Sequence, residues 1–204
     1  MTTAWNFCIA IGSQQAPRSV IDVGANQSQM TRLLLLVCER EARILSFEPN
    51  PKCRPLEKRF HIALSDSKDT AVFYLPPKDA AAGSLCPPES EKSWRDKIEV
   101  EVQRFDALVT TGTVPWTELR KPILLKLDTE GNELQVLRGF GRYLAEIQYV
   151  LLEVQNGEER PGTRDAIETH KLMIESGFNR SRVLYACYDG PWAPTYLDTL
   201  YWRE

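Results

Sequence analysis

The chain has 204 residues, of which 43% are hydrophobic and 26% charged, and its formal net charge is −3. This composition is typical of a globular protein and excludes a disordered or collagen-like chain. The small acidic excess argues against nucleic acid as the main partner. The length fits a single domain, residues 1–204, built around one core and opened by a short segment, residues 1–18.

The five cysteines are odd in number and never form a CxxC pair, so neither a disulfide framework nor a zinc site is indicated. Reduced thiols of this kind favour the cytoplasm. The apolar run at residues 33–37 is far shorter than the ~20 residues that a membrane-spanning helix needs. We therefore expect a cytoplasmic protein without a membrane span.

The first third of the chain alternates strands and helices. Residues 19–23 form a β-branched apolar run that ends at Gly24, and residues 30–37 are apolar on most sides. This pattern predicts a strand, a tight turn and a buried helix. Two further strands are expected at residues 43–47 and 60–64, which predicts a βαβαβ opening.

The middle of the chain contains two alternating segments and one buried run. Residues 72–75 and 98–105 alternate with the period of half-buried strands. Between them, residues 76–95 are rich in Pro, Ala, Ser and Glu and predict a flap. Residues 123–127 predict a buried strand, and the helical spacing of residues 130–144 predicts a helix after it.

The last third predicts a strand at residues 149–154, a helix at 164–176 and an antiparallel strand pair at 183–188 and 199–202. Continuous apolar strands are buried on both faces of a sheet. The fold class is therefore α/β: a mostly parallel sheet with a C-terminal antiparallel strand pair and helices on both faces.

Polar residues follow the predicted strands where ligands bind in an open α/β sheet, beyond the carboxyl ends. They are Asp22 with Gly24, Glu48, Asp66, Asp128 with Glu130, and Glu153 with Asn156. Carboxylates gathered at one edge repel one another and are costly to desolvate. A ligand at this edge explains them better than a purely structural role.

The first loop distinguishes between two kinds of cofactor. A dinucleotide site usually carries GxGxxG, whereas the loop that starts at Gly24 has one glycine. One glycine still allows the backbone to approach an amino acid joined to a nucleoside. Asp22 would fix the loop or bind the ammonium of methionine, and Glu48 would accept the ribose hydroxyls. Asp66 would lie near the adenine amino group or cap a turn.

Four sequence blocks in this order resemble the FkbM family of methyltransferases. They are VIDVGAN at residues 20–26, FEPNP at 47–51, ALSD at 63–66 and LKLDTEGNE at 125–133. The resemblance implies a class I methyltransferase (Rossmann-like) fold, S-adenosylmethionine as cofactor and methylation of a hydroxyl group. The cofactor-binding residues it implies are Asp22, Gly24, Ala25, Asn26, Glu48, Pro49, Ser65, Asp66 and Asp128.

Methyl transfer to an alcohol needs a group that accepts the proton of the attacking hydroxyl. We expect Asp128 and Glu130 to be catalytic because they follow the fourth buried strand, although both could instead stabilise a helix N-terminus. A metal-assisted variant stays open, with Asp128, Glu153 and Asn156 as oxygen ligands of Mg²⁺, but no metal is expected. Lys126 lies within an apolar strand and is expected to form an ion pair.

The acceptor is not identified by these patterns. Because little of the chain is left to cover the pocket, the site is expected to be open or completed by a second subunit of a homo-oligomer. Either arrangement suits a glycan, and a small metabolite is an alternative. The family has a second glycine where this chain has Ser28, which supports a catalytically weak or inactive binding protein as an alternative. A NAD-dependent oxidoreductase is a further alternative that the loop disfavours.

Overall fold

The computed structural model describes residues 6–7, 10, 15–54, 58–75, 83–87, 96–155, 166–188 and 196–203. Within these ranges the strands are β1 (Ser19–Val23), β2 (Arg43–Phe47), β3 (Lys58–Phe60), β4 (Ala63–Leu64), β5 (Asp69–Leu75), β6 (Asp96–Gln103), β7 (Ile123–Leu127), β8 (Tyr149–Gln155), β9 (Arg180–Cys187) and β10 (Tyr196–Trp202). The α-helices are α1 (Gln29–Leu34), α2 (Phe105–Thr110), α3 (Glu133–Phe140) and α4 (Ala166–Glu175). Short 3-10 helices cover Trp116–Glu118 and Gly141–Glu146. In this part of the chain, no helix is both long and apolar enough to cross a membrane.

The main sheet has seven strands in the order β3-β2-β1-β7-β8-β10-β9. The first five strands of this order, β3, β2, β1, β7 and β8, are parallel to one another. Strand β10 is antiparallel to both β8 and β9. The strand order reverses between β1 and β7, where α/β sheets commonly bind ligands. The predicted α/β fold, with its C-terminal antiparallel pair, is confirmed.

Helices cover both faces of this sheet. On one face, α2, α3 and α4 bury Phe105, Phe140 and Met173 in the larger apolar cluster. On the other face, Leu34 of α1 packs in a smaller cluster that also contains Leu124 of β7. Because the central strands are buried on both sides, β1 and β7 are apolar along most of their length.

The prediction of one strand at residues 60–64 is wrong. The structure has two short strands there: β3 pairs with β2 in the main sheet, whereas β4 pairs with β6 in a separate three-stranded sheet, β4-β6-β5. The chain leaves the first sheet at His61 and Ile62 because β4 finds its partner some forty positions later. The predicted βαβαβ opening is also wrong, because the described residues between β2 and β3, residues 48–54, contain no second helix. Residues 51 and 52 form a turn instead.

The helix predicted at residues 130–144 is shorter than expected. Glu130 has φ 57° and Gly131 has φ 108°, so both lie in a turn and α3 begins only at Glu133. The last part of the predicted helix is the 3-10 segment Gly141–Glu146. Of the predicted flap, only residues 83–87 lie within the described ranges, and β6 begins at Asp96.

Gly139 allows α3 to lie directly against the end of β4. A Cβ atom built on Gly139 would be 2.0 Å from the carbonyl oxygen of Ser65, a backbone atom that cannot turn aside. The small sheet therefore joins the main body through a contact that only glycine permits.

Gly139→Ala is expected to lower the free energy of unfolding by about 1–3 kcal/mol, because overpacking of this size exceeds the helix-propensity gain. Urea denaturation followed by circular dichroism measures the change. A stabilisation of about 1 kcal/mol, as helix propensity alone would give, contradicts the close contact.

Candidate functional site

The loop after β1 is held close to the tips of β2 and β7. The backbone amides of Gly24 and Ala25 donate to the carbonyl oxygen of Phe47 at 3.0 and 3.1 Å. Gly24 has φ 75°, and a Cβ atom there would be 1.7 Å from the carbonyl oxygen of Asp128. The predicted glycine is thus required both by its backbone angle and by the approach of β7.

A buried ion cluster lies where β1 and β7 pair. Lys126 Nζ is 3.2 Å from Asp22 Oδ1 and 3.2 Å from Asp128 Oδ2, and it donates to the Gly24 carbonyl oxygen at 3.0 Å. Burial by itself would lower the pKa of Lys126, but the carboxylates of Asp128 and Asp22 raise it above its ordinary value. The ion pair expected for Lys126 is confirmed.

Asp22 belongs to this cluster and is fully buried. Its second oxygen accepts a hydrogen bond from the hydroxyl of Thr31 in α1. Both oxygens of Asp22 therefore face protein groups, which favours the loop-fixing role over direct contact with a ligand. Its place among the cofactor-binding residues stays a prediction.

Glu48 follows β2 and is only 6% exposed. One carboxylate oxygen accepts from the amide of Asn26 and the other from the amide of Asn50, each at 2.9 Å. Burial raises the pKa of Glu48 above its ordinary value, and these two amides oppose that rise. Since a carboxylate has about four acceptor positions, Glu48 keeps capacity for ligand hydroxyls.

A tight turn carries the two candidate catalytic acids. Glu133 folds back from α3 and accepts from the amide and hydroxyl of Thr129, both at 2.8 Å, and from the amide of Gly131 at 3.1 Å. Burial raises the pKa of Glu133, and these donors counteract it. Glu133 thus fixes the turn between Asp128 and α3, and Glu130 keeps its left-handed backbone there.

Residues 83–87 form a strap that crosses this turn. Ser84 is fully buried, pairs with Tyr74 of β5 through two backbone hydrogen bonds, and donates from its hydroxyl to the Glu130 carbonyl oxygen at 2.7 Å. The thiol of Cys86 lies 3.4 Å from the Gly131 carbonyl oxygen. The strap therefore connects the small sheet to the acid-bearing turn.

A cleft opens beside Glu48, between the tips of β1, β2 and β4. It encloses about 350 Å³, counting the part open to solvent. Its walls are Val23, Gly24, Phe47, Glu48, Pro49, Ile62, Ala63, Leu64, Phe73, Gly83, Leu85, Thr129 and Asn132. A backbone glycine, a buried carboxylate and apolar walls are groups that suit a nucleoside.

The predicted cofactor residues Ser65 and Asp66 follow this cleft without lining it. The Ser65 amide donates to Gln103 of β6, and the Asp66 carbonyl oxygen accepts from Arg104 at 2.9 Å. Ala25 and Asn26 are in the loop above Glu48. The structure thus brings Gly24, Asn26 and Glu48 together and leaves Ser65 and Asp66 at the margin.

Three carboxylates gather where β7 ends and beside Glu153 in the last part of β8. Oxygen atoms of Asp128, Glu130 and Glu153 all lie within 4.8 Å of one another. Asn156, the third predicted metal ligand, lies outside the described residues. All three side chains are half-buried, and carboxylates in this arrangement are chemically able to accept a proton or to coordinate a metal ion.

A second, wider pocket lies on the α1 face of the sheet and encloses about 970 Å³, counting the part open to solvent. It is lined by Met30, Leu33, Lys126, Leu127, Asp128, Leu151, Glu153, Tyr185, Tyr196 and Asp198. Asp128 belongs to this pocket, whereas the adjacent Thr129 belongs to the cleft beside Glu48. The two cavities therefore have adjacent wall residues at the tip of β7.

Sequence patterns did not indicate four features of the site. They are the bonds from Glu133 back to the turn, the bond from the Thr31 hydroxyl to Asp22, the bond from Ser84 to the turn, and the two tyrosines of β9 and β10 that line the wider pocket. Ser84 and Glu130 are 46 positions apart, and no local pattern reports such a contact. Glu133 did lie in the block that resembles the family, which was the one signal available for it.

Two curated methyltransferases are similar to this chain. Hexuronic acid methyltransferase AglP of Haloferax volcanii is 28% identical over 165 residues, which cover 76% of this chain and 63% of AglP. The chain thus spans less than two thirds of that relative's length. Methyltransferase sdnD of Sordaria araneosa is 26% identical over 215 residues, which cover 87% of this chain and 80% of sdnD.

Among solved structures, precorrin-6y C5,15-methyltransferase of Geobacter metallireducens aligns with 99% of this chain and 85% of its own, at a TM-score of 0.43 and 11% identity. The family model described as the methyltransferase FkbM domain matches residues 22–179, which include the loop after β1, Glu48, the turn after β7 and most of the wider pocket. The chain belongs to the FkbM methyltransferase family.

Proposed function

We propose that this protein transfers the methyl group of S-adenosylmethionine to a hydroxyl group of a glycan or a small metabolite. The observation that carries the proposal is the convergence of Gly24, Glu48 and Asp128 at the point where the strand order reverses. Family membership supports methyl transfer, and the hexuronic acid methyltransferase among the relatives supports a sugar hydroxyl.

The residues present fit this cofactor. Glu48 is buried and keeps acceptor positions for vicinal ribose hydroxyls, while the glycine at position 24 leaves the backbone open to close approach. When bound, S-adenosylmethionine supplies a methyl group on a positively charged sulfur. The apolar walls formed by Ile62 and Leu64 suit the adenine ring.

The chain's own contribution to the reaction is orientation and proton acceptance. An in-line displacement gains most from holding the acceptor oxygen about 3 Å from the methyl carbon. Asp128 is held by its ion pair with Lys126 and lines the wider pocket. Ser84 holds the backbone of Glu130, and the Glu130 carboxyl group lies near that of Asp128. Either can take the proton of the attacking hydroxyl.

Four described cysteines, Cys38, Cys53, Cys86 and Cys187, are free thiols. They support the proposed cytoplasmic location, in which thiols stay reduced. The proposal also includes a homo-oligomer, in which a second subunit would narrow the wider pocket.

Glu48→Ala is expected to weaken binding of S-adenosylhomocysteine at least 100-fold, because hydrogen bonds to a charged group contribute about 1.5–3 kcal/mol each. Isothermal titration calorimetry measures the affinity. Glu99→Ala, which removes an exposed carboxylate of β6, is the matched control. Unchanged affinity in Glu48→Ala, with the melting temperature preserved, removes Glu48 from the cofactor site.

Asp128→Asn is expected to keep the affinity for S-adenosylhomocysteine within threefold and to slow methyl transfer by about 10²–10⁴-fold, the range of general-base catalysis. Glu130→Gln tests the second acid in the same way. Release of S-adenosylhomocysteine is measured with a panel of methyl glycosides, hexuronic acids and simple alcohols. If both variants transfer at the wild-type rate, neither carboxyl group is the base.

The same panel tests the alternative functions. Binding of S-adenosylhomocysteine without turnover of any acceptor would favour the catalytically weak or inactive binding protein. Binding of NAD in preference to S-adenosylhomocysteine, seen as a larger rise in melting temperature, would favour the oxidoreductase. Membership of a methyltransferase family speaks against the second of these.

A metal-assisted variant is favoured by one observation, the gathering of Asp128, Glu130 and Glu153 oxygens within 4.8 Å. We expect treatment with EDTA to leave the transfer rate within twofold, because Asp128 already pairs with Lys126. Loss of activity that added Mg²⁺ restores, and that Glu153→Gln reproduces, would instead establish a metal site.

A further inference from the structure

The wider pocket exists because the α1 face of the main sheet is only partly covered. Helix α1 has six residues and packs over the central strands through Leu34. The helical residues Asn6 and Phe7 lie over the same face beside β9 and β10: Asn6 donates to the carbonyl oxygen of Leu184, and Phe7 belongs to the cluster that contains Leu184 and Leu200. What remains is a recess bounded by α1 on one side and by the C-terminal strand pair on the other.

Strand register places the chemistry of this recess on a single face. Glu153 of β8 is directly opposite Asp198 of β10, and Asp198 is opposite Tyr185 of β9. Tyr196 lies two residues before Asp198, so its side chain points to the same side. Three adjacent strands therefore direct two carboxylates and two tyrosines into one pocket.

One part of the pocket is apolar and unusually exposed. Leu33 of α1 and Tyr185 of β9 are each 40% exposed, and the rings of Tyr185 and Tyr196 have centroids 5.8 Å apart. Burial and a hydrogen bond with Tyr185 raise the pKa of Tyr196, so its hydroxyl stays neutral. Exposed aliphatic and aromatic surface inside a recess is typical of a ligand site.

The other part consists of carboxylates. Glu153 and Asp198 are neighbours across β8 and β10, and Asp128 joins them from β7. Carboxylates placed directly opposite on paired strands destabilise a sheet. Each keeps acceptor positions beyond the bonds it makes within the protein, because a carboxylate offers about four. A ligand with several hydroxyl donors would satisfy them.

We propose that this pocket is the acceptor site and that it takes a single sugar ring, with one face against Tyr185 and Leu33 and hydroxyl groups toward Glu153, Asp198 and Asp128. A pyranose has this division, since its axial hydrogens form an apolar face and its hydroxyls form a polar rim. A phenol or a simple alcohol offers a single hydroxyl donor to a pocket that is lined by three carboxyl groups. The inference rests on the proposed function.

The position of the pocket suits the reaction. Asp128 lines it, and the adjacent Thr129 lines the cleft beside Glu48. Lys126 has contacts at both cavities. It lines the wider pocket, and it donates to the carbonyl oxygen of Gly24, which is a wall residue of the cleft. A hydroxyl held against Asp128 would therefore face the cofactor across one strand tip.

The experiment is saturation-transfer difference NMR on the protein saturated with S-adenosylhomocysteine. The probes are the methyl glycosides of glucose, galactose, mannose and glucuronic acid, with phenol and cyclohexanol as competitors. We expect at least one methyl glycoside to bind, and neither competitor to displace it at equal concentration. Tyr185→Ala should raise its dissociation constant at least tenfold, whereas Tyr188→Ala, an exposed tyrosine near the end of the same strand, should leave it unchanged.

Asp198→Asn, which keeps the shape of the side chain, should also weaken the sugar. All three variants should bind S-adenosylhomocysteine as the wild type does, which shows that they are folded. The inference is overturned if no methyl glycoside binds, if phenol or cyclohexanol displaces the sugar at equal concentration, or if Tyr185→Ala and Asp198→Asn bind it as tightly as wild type. If S-adenosylhomocysteine itself fails to bind the wild type, the proposed function fails instead.

Discussion

The buried ammonium group of Lys126 holds the site together. Lys126 lies among the carboxylates of Asp22 and Asp128 and the carbonyl oxygen of Gly24, all within 3.2 Å of its ammonium group. A buried charge is tolerated only when its partners are well placed, and removing one partner commonly costs about 3–5 kcal/mol. The cluster therefore fixes the relative positions of β1 and β7 at the point where the strand order reverses. Residues at the ends of these two strands line both cavities.

The acid-bearing turn depends on this anchor and on two further contacts. Glu133 holds Thr129 and Gly131 from inside α3, and Ser84 holds the Glu130 carbonyl oxygen from the strap. Left-handed backbone at a non-glycine residue is strained and persists where surrounding groups determine it. Three separate parts of the chain thus stabilise one unfavourable turn, which follows Asp128 of the wider pocket and carries Glu130 near it.

Local patterns predicted the elements whose signals are local. The bounds of β1, β2 and β7 match the apolar runs because each run ends at a turn residue or an acidic tip. The break between β3 and β4 could not be predicted, since it depends on pairing with β6. The position of Glu48 followed from the strand end, whereas the strap at Ser84 depends on a contact across 46 positions. Sequence thus indicated that Asp22 and Asp128 lie near each other, but not the contacts that hold them, and it grouped with them Asp66, which lies at the margin of the cleft.

Ser28 bears on whether the protein turns over substrate. It has φ 57°, the left-handed conformation that glycine favours, and it is buried directly before α1. For a side chain other than glycine this conformation costs about 1–2 kcal/mol. Ser28 therefore adopts the backbone geometry that a glycine would supply, and the cost falls on stability.

Because Gly24 and Ala25 still donate to Phe47 and the Asn26 amide still reaches Glu48, the loop keeps the contacts that shape the cleft. The substitution is thus a weak argument for an inactive protein.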